Sequence, residues 1–271
     1  MKVAVTGAGG FIGRNVVAEL KTRGIFPHAV LRPSSKVPPH LSDCEIVRID
    51  IASSTENSFD LMGRPDVLIH LAWGGLPNYK SEHHMDEELP AQYSFLSGLI
   101  ESGLGNLVVT GTCFEYGMQG GALKPDMETF PTNPYGQAKD ELRKRLQTIQ
   151  QTKPFLLTWA RLFYLFGDGQ SDNSLWMQLK KAVERGDKTF NMSGGEQIRD
   201  FLPISEAARQ IVSVALSPTD LGVINICSGK PISVLSLVEQ WIAENGWSIS
   251  LNTGHYPYPD YEPMEFWGIN H

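Results

Sequence analysis

Apolar positions along the 271 residues alternate between two patterns. The runs VAVTG, HAVLR, CEIVRID, DVLIHLA, NLVVTGT and PFLLTWARLF are short and nearly continuous, as strands covered on both faces are. Between several of them lie longer stretches with apolar residues at helical spacing, such as FIGRNVVAELKTRG and NPYGQAKDELRKRLQTIQQ, the second carrying cations toward its C-terminal end. This alternation predicts an α/β fold with a doubly wound parallel sheet. After about residue 165 the rhythm changes. DGQSDNSLWMQLKKAVERGD reads as a polar loop and a helix, while RDFLPISEAARQIVSVAL and INICSGKPISVLSLVEQWIAENG each read as a strand and a helix. The sequence has no repeat, low-complexity tract or clear linker, so these later elements are expected to pack on the first domain as a small lobe.

Composition narrows the partners. Apolar residues make up 41% of the chain, enough for a large core, and 30 acidic against 23 basic side chains give a net charge of −7. That balance argues against a nucleic-acid or anionic-membrane surface, so any phosphate must be held in a local pocket. Cys44, Cys113 and Cys227 are far apart, with no CxxC or His-rich spacing that would hold zinc, and a reduced, cytoplasmic chain without a metal is expected. No stretch approaches the roughly 20 apolar residues of a membrane span. The opening MKVAVTGAGG reads as a strand and a glycine loop, not as the charged start of a signal peptide.

TGAGGFIG follows the first strand and opens a helix, the context a dinucleotide loop requires. Gly7 permits the tight turn, Gly10 the close approach of a pyrophosphate and Gly13 the packing of helix on strand, with Phe11 and Ile12 completing the expected cofactor-binding set. A plain strand-to-helix connection would also use glycines, but this one sits inside a βαβ pattern. In NPYGQAK, Tyr135 and Lys139 are four apart at a helix start and share a face, so the ammonium can stabilise the phenolate. The run NLVVTGTCFEYG ends in hydroxyl residues at a carboxyl edge of the sheet, where ligands of open α/β sheets gather, which places Thr110 and Thr112 toward the cleft.

VLRPSSK falls at the end of the second strand, where the adenine ribose is read. An NAD-selective site places a carboxylate there; this sequence has Arg32, with Ser34, Ser35 and Lys36 able to add donors to a 2′-phosphate and Arg14 expected to approach it from the first helix. The expectation is NADP(H) favoured over NAD(H).

TGAGGFIG, HLAWGG, TGTCFEYG, YGQAK and RDFLPISEAA together resemble the extended short-chain dehydrogenase/reductase family, the NAD(P)-dependent epimerase/dehydratase group that acts on nucleotide sugars. The resemblance runs from residue 1 to about 240. It implies a Rossmann-type NADP-binding domain over residues 1–164, with 199–225 returning to it, and a substrate lobe formed by 165–198 and 226–271. It implies Thr112, Tyr135 and Lys139 as the catalytic set, with Tyr135 and Lys139 also on the cofactor. Asp50 and Ile51 would lie near the adenine, Leu71 and Ala72 along the cofactor, Thr112 on the substrate and Arg199 on its diphosphate. It also implies a homodimer through helices near residues 84–102 and 134–151. The family's last helix is expected to be missing after EFWGINH.

Departures from the family pattern narrow the chemistry. Sugar dehydratases of the group carry an Asp-Glu pair where Cys113 and Phe114 stand, so dehydration is not expected. Tyr164 and Glu88 stand where asparagines are usual. The expected function is NADPH-dependent reduction of the 4-keto group of a nucleotide-linked 4-keto-6-deoxyhexose, with dTDP as the nucleotide, in deoxysugar biosynthesis. An epimerase uses the same three residues, and a non-catalytic NADP sensor would need only the loop and Arg32. Cys113 is expected to be buried filler and His70 structural, and His83 and His84 form no ligand set. The aromatic tail HYPYPDYEPMEFWG either walls the sugar pocket or covers the lobe's core.

Overall fold

The computed structural model describes residues 1–53 and 57–270. The last residue of the expected lobe, 271, lies outside them. In chain order the first half holds β1 (Val3–Thr6), α1 (Phe11–Thr22), β2 (His28–Leu31), β3 (Glu45–Arg48), α2 (Ser58–Leu61), β4 (Val67–His70), α3 (Leu89–Glu101), β5 (Asn106–Thr112), β6 (Gly121–Leu123) and α4 (Pro134–Thr152). The second half holds β7 (Leu156–Leu162), β8 (Tyr164–Phe166), α5 (Leu175–Glu184), β9 (Thr189–Asn191), β10 (Ile198–Pro203), α6 (Ile204–Ala215), β11 (Gly222–Ile226), β12 (Pro231–Ser233), α7 (Val234–Glu244), β13 (Ser250–Asn252) and β14 (Phe266–Gly268).

Seven strands form one parallel sheet in the order β11-β7-β5-β4-β1-β2-β3. The chain reverses its winding between β1 and β4, and the crevice at that switch point is where an open α/β sheet binds its ligand. Two apolar clusters cover the sheet. One joins α1 and α6 through Val16, Leu20, Ala208 and Ile211; the other joins α3 and α4 through Phe95, Leu99, Leu142 and Leu146. Strands buried on both faces leave no room for polar alternation, which is why they read as solid apolar runs.

The second lobe has its own core of Leu179, Phe190, Leu237, Val238 and Trp241. Its three-stranded sheet has the order β12-β10-β8, and β13 pairs with β9. Ser174 and Ser233 cap α5 and α7 by accepting backbone N–H groups. The chain end returns to the first half, where β14 pairs with β6. No helix of the described residues is long and apolar enough to cross a membrane.

Candidate active site and cofactor cleft

The glycine loop is built by close backbone contact. Gly7 has φ +67, and a Cβ there would come within 3.0 Å of the Ala72 nitrogen; a Cβ on Gly13 would strike the Gly7 carbonyl. The Gly10 N–H closes the turn on the Gly7 oxygen at 3.0 Å. Helix α1 then begins without a capping side chain or an acid in its first turn, which leaves its N-terminus suited to an anion.

A cleft of about 590 Å³ opens from this loop across the ends of β1, β2, β3 and β4. Gly7, Gly10, Arg32, Ser35, Lys36, Asp50, Ile51, Leu71 and Ala72 line it, as does Glu88. Ser34, Phe11, Ile12 and Gly13 do not, nor do Thr110, Thr112, Tyr135 and Lys139; Phe11 and Ile12 pack on the α1 side of the core instead. Arg48 fixes the Arg32 turn by donating to the carbonyls of Arg32 at 3.0 Å and Ser35 at 2.5 Å. Arg14 points elsewhere, against Gly169, and is not among the lining residues.

At the end of β5, Thr112 is held by a capping box: its N–H donates to Glu115 Oε1 at 2.8 Å while its hydroxyl accepts from the Phe114 N–H at 3.3 Å. Glu115 is fully buried and also receives Trp159 Nε1 at 3.0 Å and Arg161 Nε at 2.7 Å. This network lies beneath Thr112 and carried no signal in the local sequence.

Helix α4 presents the other two residues. Asn133 caps it by accepting the Gly136 N–H at 2.9 Å, and Pro134 pre-sets its first turn. Tyr135 is buried among the rings of Tyr79, His84, Trp73 and Phe114, at centroid separations of 5.6, 5.2, 6.0 and 6.4 Å. Lys139 donates to the Thr110 carbonyl at 2.8 Å and lies 4.0 Å over the Trp73 ring.

The electrostatics differ from the sequence expectation that Lys139 lowers the Tyr135 pKa. Burial pushes the phenol well above its usual value, opposed only by a hydrogen bond with Thr112. Burial also pulls Lys139 down to about 7, against the attraction of Glu115 and Glu88. With its ammonium so destabilised and turned to a carbonyl, the lysine gives the phenol little charge, and desolvation wins. Burial likewise raises the Cys113 thiol, as suits a filler residue.

A second chain of polar groups runs behind the loop. The Leu71 and Ala72 N–H groups donate to Thr6 Oγ1, so the hydroxyl proton goes to His70 Nδ1 at 3.0 Å. His70 Nε2 then donates to Gln92 Oε1 at 2.8 Å, and Gln92 donates to Glu88 at 2.9 Å. Burial holds His70 neutral, with its pKa lowered to about 3. His84 takes the Trp73 N–H on Nδ1 at 3.1 Å and donates from Nε2 to the Asn78 carbonyl at 2.9 Å. Trp73, Glu88, Gln92 and His84 are thus site residues beyond the sequence-predicted set. Among the described residues no His/Cys/Asp/Glu group could hold a metal.

Arg199 lies buried, donating to Glu262 Oε2 from Nε at 3.3 Å and Nη2 at 2.9 Å and to the Ile198 and Met264 carbonyls from Nη1. A diphosphate would have to compete with Glu262 for it. In the aromatic tail, Tyr261 packs on Phe114 at 6.3 Å and lines a cleft of about 490 Å³ with Tyr79, Asn133 and Ser174, while Phe266 packs on Phe163 and Tyr164 in a cluster with Tyr116 and Leu123, apart from the lobe's core.

Known proteins place this geometry in context. Residues 3–227 match the model of the NAD dependent epimerase/dehydratase family. A dTDP-6-deoxy-L-talose 4-dehydrogenase (NAD(+)) of Aggregatibacter actinomycetemcomitans is 34% identical over 270 residues, covering 99% of each chain. A dTDP-6-deoxy-L-talose 4-dehydrogenase (NAD(P)(+)) of Kitasatospora kifunensis is 23% identical, over 96% of this chain and 83% of the other. Among solved structures, MoeE5 in complex with UDP-glucuronic acid and NAD has a TM-score of 0.83 at 26% identity, over 100% of this chain and 90% of its own.

Proposed function

The chain belongs to the NAD dependent epimerase/dehydratase family, and from that premise we propose that it is a nucleotide-sugar 4-ketoreductase, reducing a dTDP-linked 4-keto-6-deoxyhexose to the 6-deoxyhexose with NADPH. What supports this reading is the buried Tyr135 between Thr112 and Lys139, together with a cofactor cleft lined at its adenosine end by Arg32, Ser35 and Lys36. A nicotinamide dinucleotide, when bound, supplies the hydride that reaches the sugar's C4. Tyr135 gives its proton to the oxygen that becomes an alkoxide, and its raised pKa keeps that proton in place at neutral pH. Thr112 holds the same oxygen, its own position fixed by Glu115. Lys139 is fastened to the Thr110 carbonyl, and a bound cofactor's ribose hydroxyl would have to draw it from there. The ring wall around Tyr135 excludes water from the transfer.

The glycine loop and the α1 N-terminus suit a pyrophosphate, and Asp50 and Ile51 suit the adenine end. Arg32, Ser35 and Lys36 line that end without an acid at the close of β2, which supports a 2′-phosphate and hence NADP(H). The dTDP-6-deoxytalose substrate in the 34% identical relative's name supports the dTDP sugar and the 6-deoxy class. Arg199 would reach the diphosphate only by sharing it with Glu262.

Purified protein mixed with dTDP-4-keto-6-deoxyglucose and either NADPH or NADH tests this. Stoichiometric NADPH oxidation with formation of a 6-deoxyhexose is expected. Interconversion of sugar isomers without net oxidation would make the chain an epimerase.

A further inference from the structure

Lys139 is enclosed but poorly partnered. Its ammonium donates to the Thr110 carbonyl at 2.8 Å, and among the described residues no carboxylate forms an ion pair with it. Glu115 and Glu88 attract it from further off, and both are engaged, Glu115 with Arg161 and Trp159 and Glu88 with Gln92. Burial lowers the pKa of His70 on β4 and of His84 ahead of α3, so neither adds a charge at neutral pH, and the Tyr135 phenol on the lysine's own helix keeps its proton. A desolvated ammonium with a single hydrogen bond needs a further stabilising contact.

Trp73 supplies one. The ammonium lies 4.0 Å from the centre of its ring, inside the roughly 6 Å reach of a cation–π contact. The ring also meets Tyr135 edge-on at 6.0 Å. His84 fixes the indole by accepting its N–H on Nδ1 at 3.1 Å, and the Asn78 carbonyl fixes His84 by accepting from Nε2 at 2.9 Å. Only a neutral His84 has an acceptor free for this bracket, and its burial keeps it so. Trp73 also lines the cofactor cleft, which Tyr135 and Lys139 do not. One side chain thereby touches both residues of α4 and forms part of the cleft wall.

We propose that Trp73 is a positioning residue of this site: its ring face seats the Lys139 ammonium beside Tyr135, and its place in the cleft wall ties that seat to what the cleft holds. Its value for turnover rests on the proposed 4-ketoreductase reading, in which Lys139 serves the cofactor and the phenol, whereas the seat itself belongs to the ligand-free protein. A ring face attracts the charged lysine and not the neutral amine, so removing it lets the ammonium give up its proton at lower pH. The indole in turn senses whether a cation lies on it, and a dinucleotide filling the cleft reaches the same side chain.

The test compares Trp73→Phe, which keeps a ring face, with Trp73→Leu, which has none. Indole emission of the ligand-free wild type, followed as pH rises, should show a step near the Lys139 value of about 7 that is missing from Lys139→Met and from Trp73→Phe. In protein labelled with [13C]lysine, the NMR signal lost in Lys139→Met should titrate about one pH unit lower in Trp73→Leu and shift less in Trp73→Phe. In turnover of dTDP-4-keto-6-deoxyglucose, the alkaline limb of kcat/KM for NADPH, which reports groups of the free enzyme, should move down with it, and kcat should fall by about tenfold in Trp73→Leu and recover in Trp73→Phe. Should Trp73→Leu fold poorly, the wild-type emission step and the Trp73→Phe shift still decide. A lysine midpoint unmoved by both variants, or emission without a step that depends on Lys139, would overturn the seat whatever the turnover. A lysine midpoint that shifts as expected in a protein that reduces no keto sugar would keep the seat and reject the ketoreductase reading.

Discussion

Arg161 donates from Nε to Glu115 Oε2 at 2.7 Å across 46 residues of chain, directly beneath the end of β5, and both side chains are almost wholly buried. The pair holds the capping box that orients Thr112, so two fully buried side chains set the position of its hydroxyl. Glu115→Gln leaves the guanidinium without its counter-charge. Loss of about 3 kcal/mol of stability is expected, read from the urea midpoint at unchanged slope. An unaltered midpoint would show that the Glu115 charge does not hold the site.

Removing the Tyr135 hydroxyl should separate chemistry from binding. Tyr135→Phe keeps the ring contacts with Tyr79, His84 and Phe114 but has no proton to give. A fall of about 10²- to 10⁴-fold in kcat is expected, with cofactor affinity by fluorescence titration close to that of the wild type. Retention of wild-type kcat would dismiss the phenol as the acid.

Lys139 makes a pH signature in the ligand-free protein. Its folded pKa is about 7 against 10.5 for a free lysine. Below pH 7 the ammonium is charged in both states and the cost of burying it is complete. Between pH 7 and 10.5 the unfolded chain binds a proton that the folded chain does not, so stability gained at this site rises with pH. Comparing urea unfolding of wild type and Lys139→Met from pH 6.5 to 9.5, the wild type should gain relative to the variant, by on the order of 3 kcal/mol across that range. A difference independent of pH would mean that the lysine stays charged in the fold.

Arg32 tests the cofactor assignment. Arg32→Asp replaces a donor at the adenosine end of the cleft with a carboxylate that repels a 2′-phosphate and accepts from a 2′-hydroxyl. The ratio of kcat/KM for NADPH to that for NADH should fall by about 10- to 100-fold, the loss of one charge-assisted contact. An unchanged ratio would remove the basis for preferring NADPH.

The parts of the site that were legible in the sequence are those made by neighbours in the chain. The glycine spacing from Gly7 to Gly13, the shared helical face of Tyr135 and Lys139 and the hydroxyls ending β5 all depend on local geometry, and the parallel strands showed as unbroken apolar runs. The hidden parts join distant segments. Glu115 with Arg161, Arg199 with Glu262 and the chain from Thr6 through His70 and Gln92 to Glu88 pair residues 46, 63 and 64 positions apart for the first three contacts. The expected lowering of the Tyr135 pKa failed for a related reason. Spacing showed that a cation stands near the phenol but not how deeply both are buried, and burial outweighed the charge. The tail offered two roles because its aromatic residues divide between a cleft, at Tyr261, and a buried cluster apart from the lobe's core, at Phe266.

The account turns on net hydride transfer to the sugar's C4 with Tyr135 as the acid. NADPH carrying deuterium at the transferable position of nicotinamide C4, incubated with dTDP-4-keto-6-deoxyglucose and the protein, tests it most directly by mass and NMR analysis of the sugar. One deuterium at C4 for each NADPH consumed is the predicted result, with no label transferred by Tyr135→Phe over the same interval. An altered sugar without deuterium, formed while the added NADPH persists, would contradict the account.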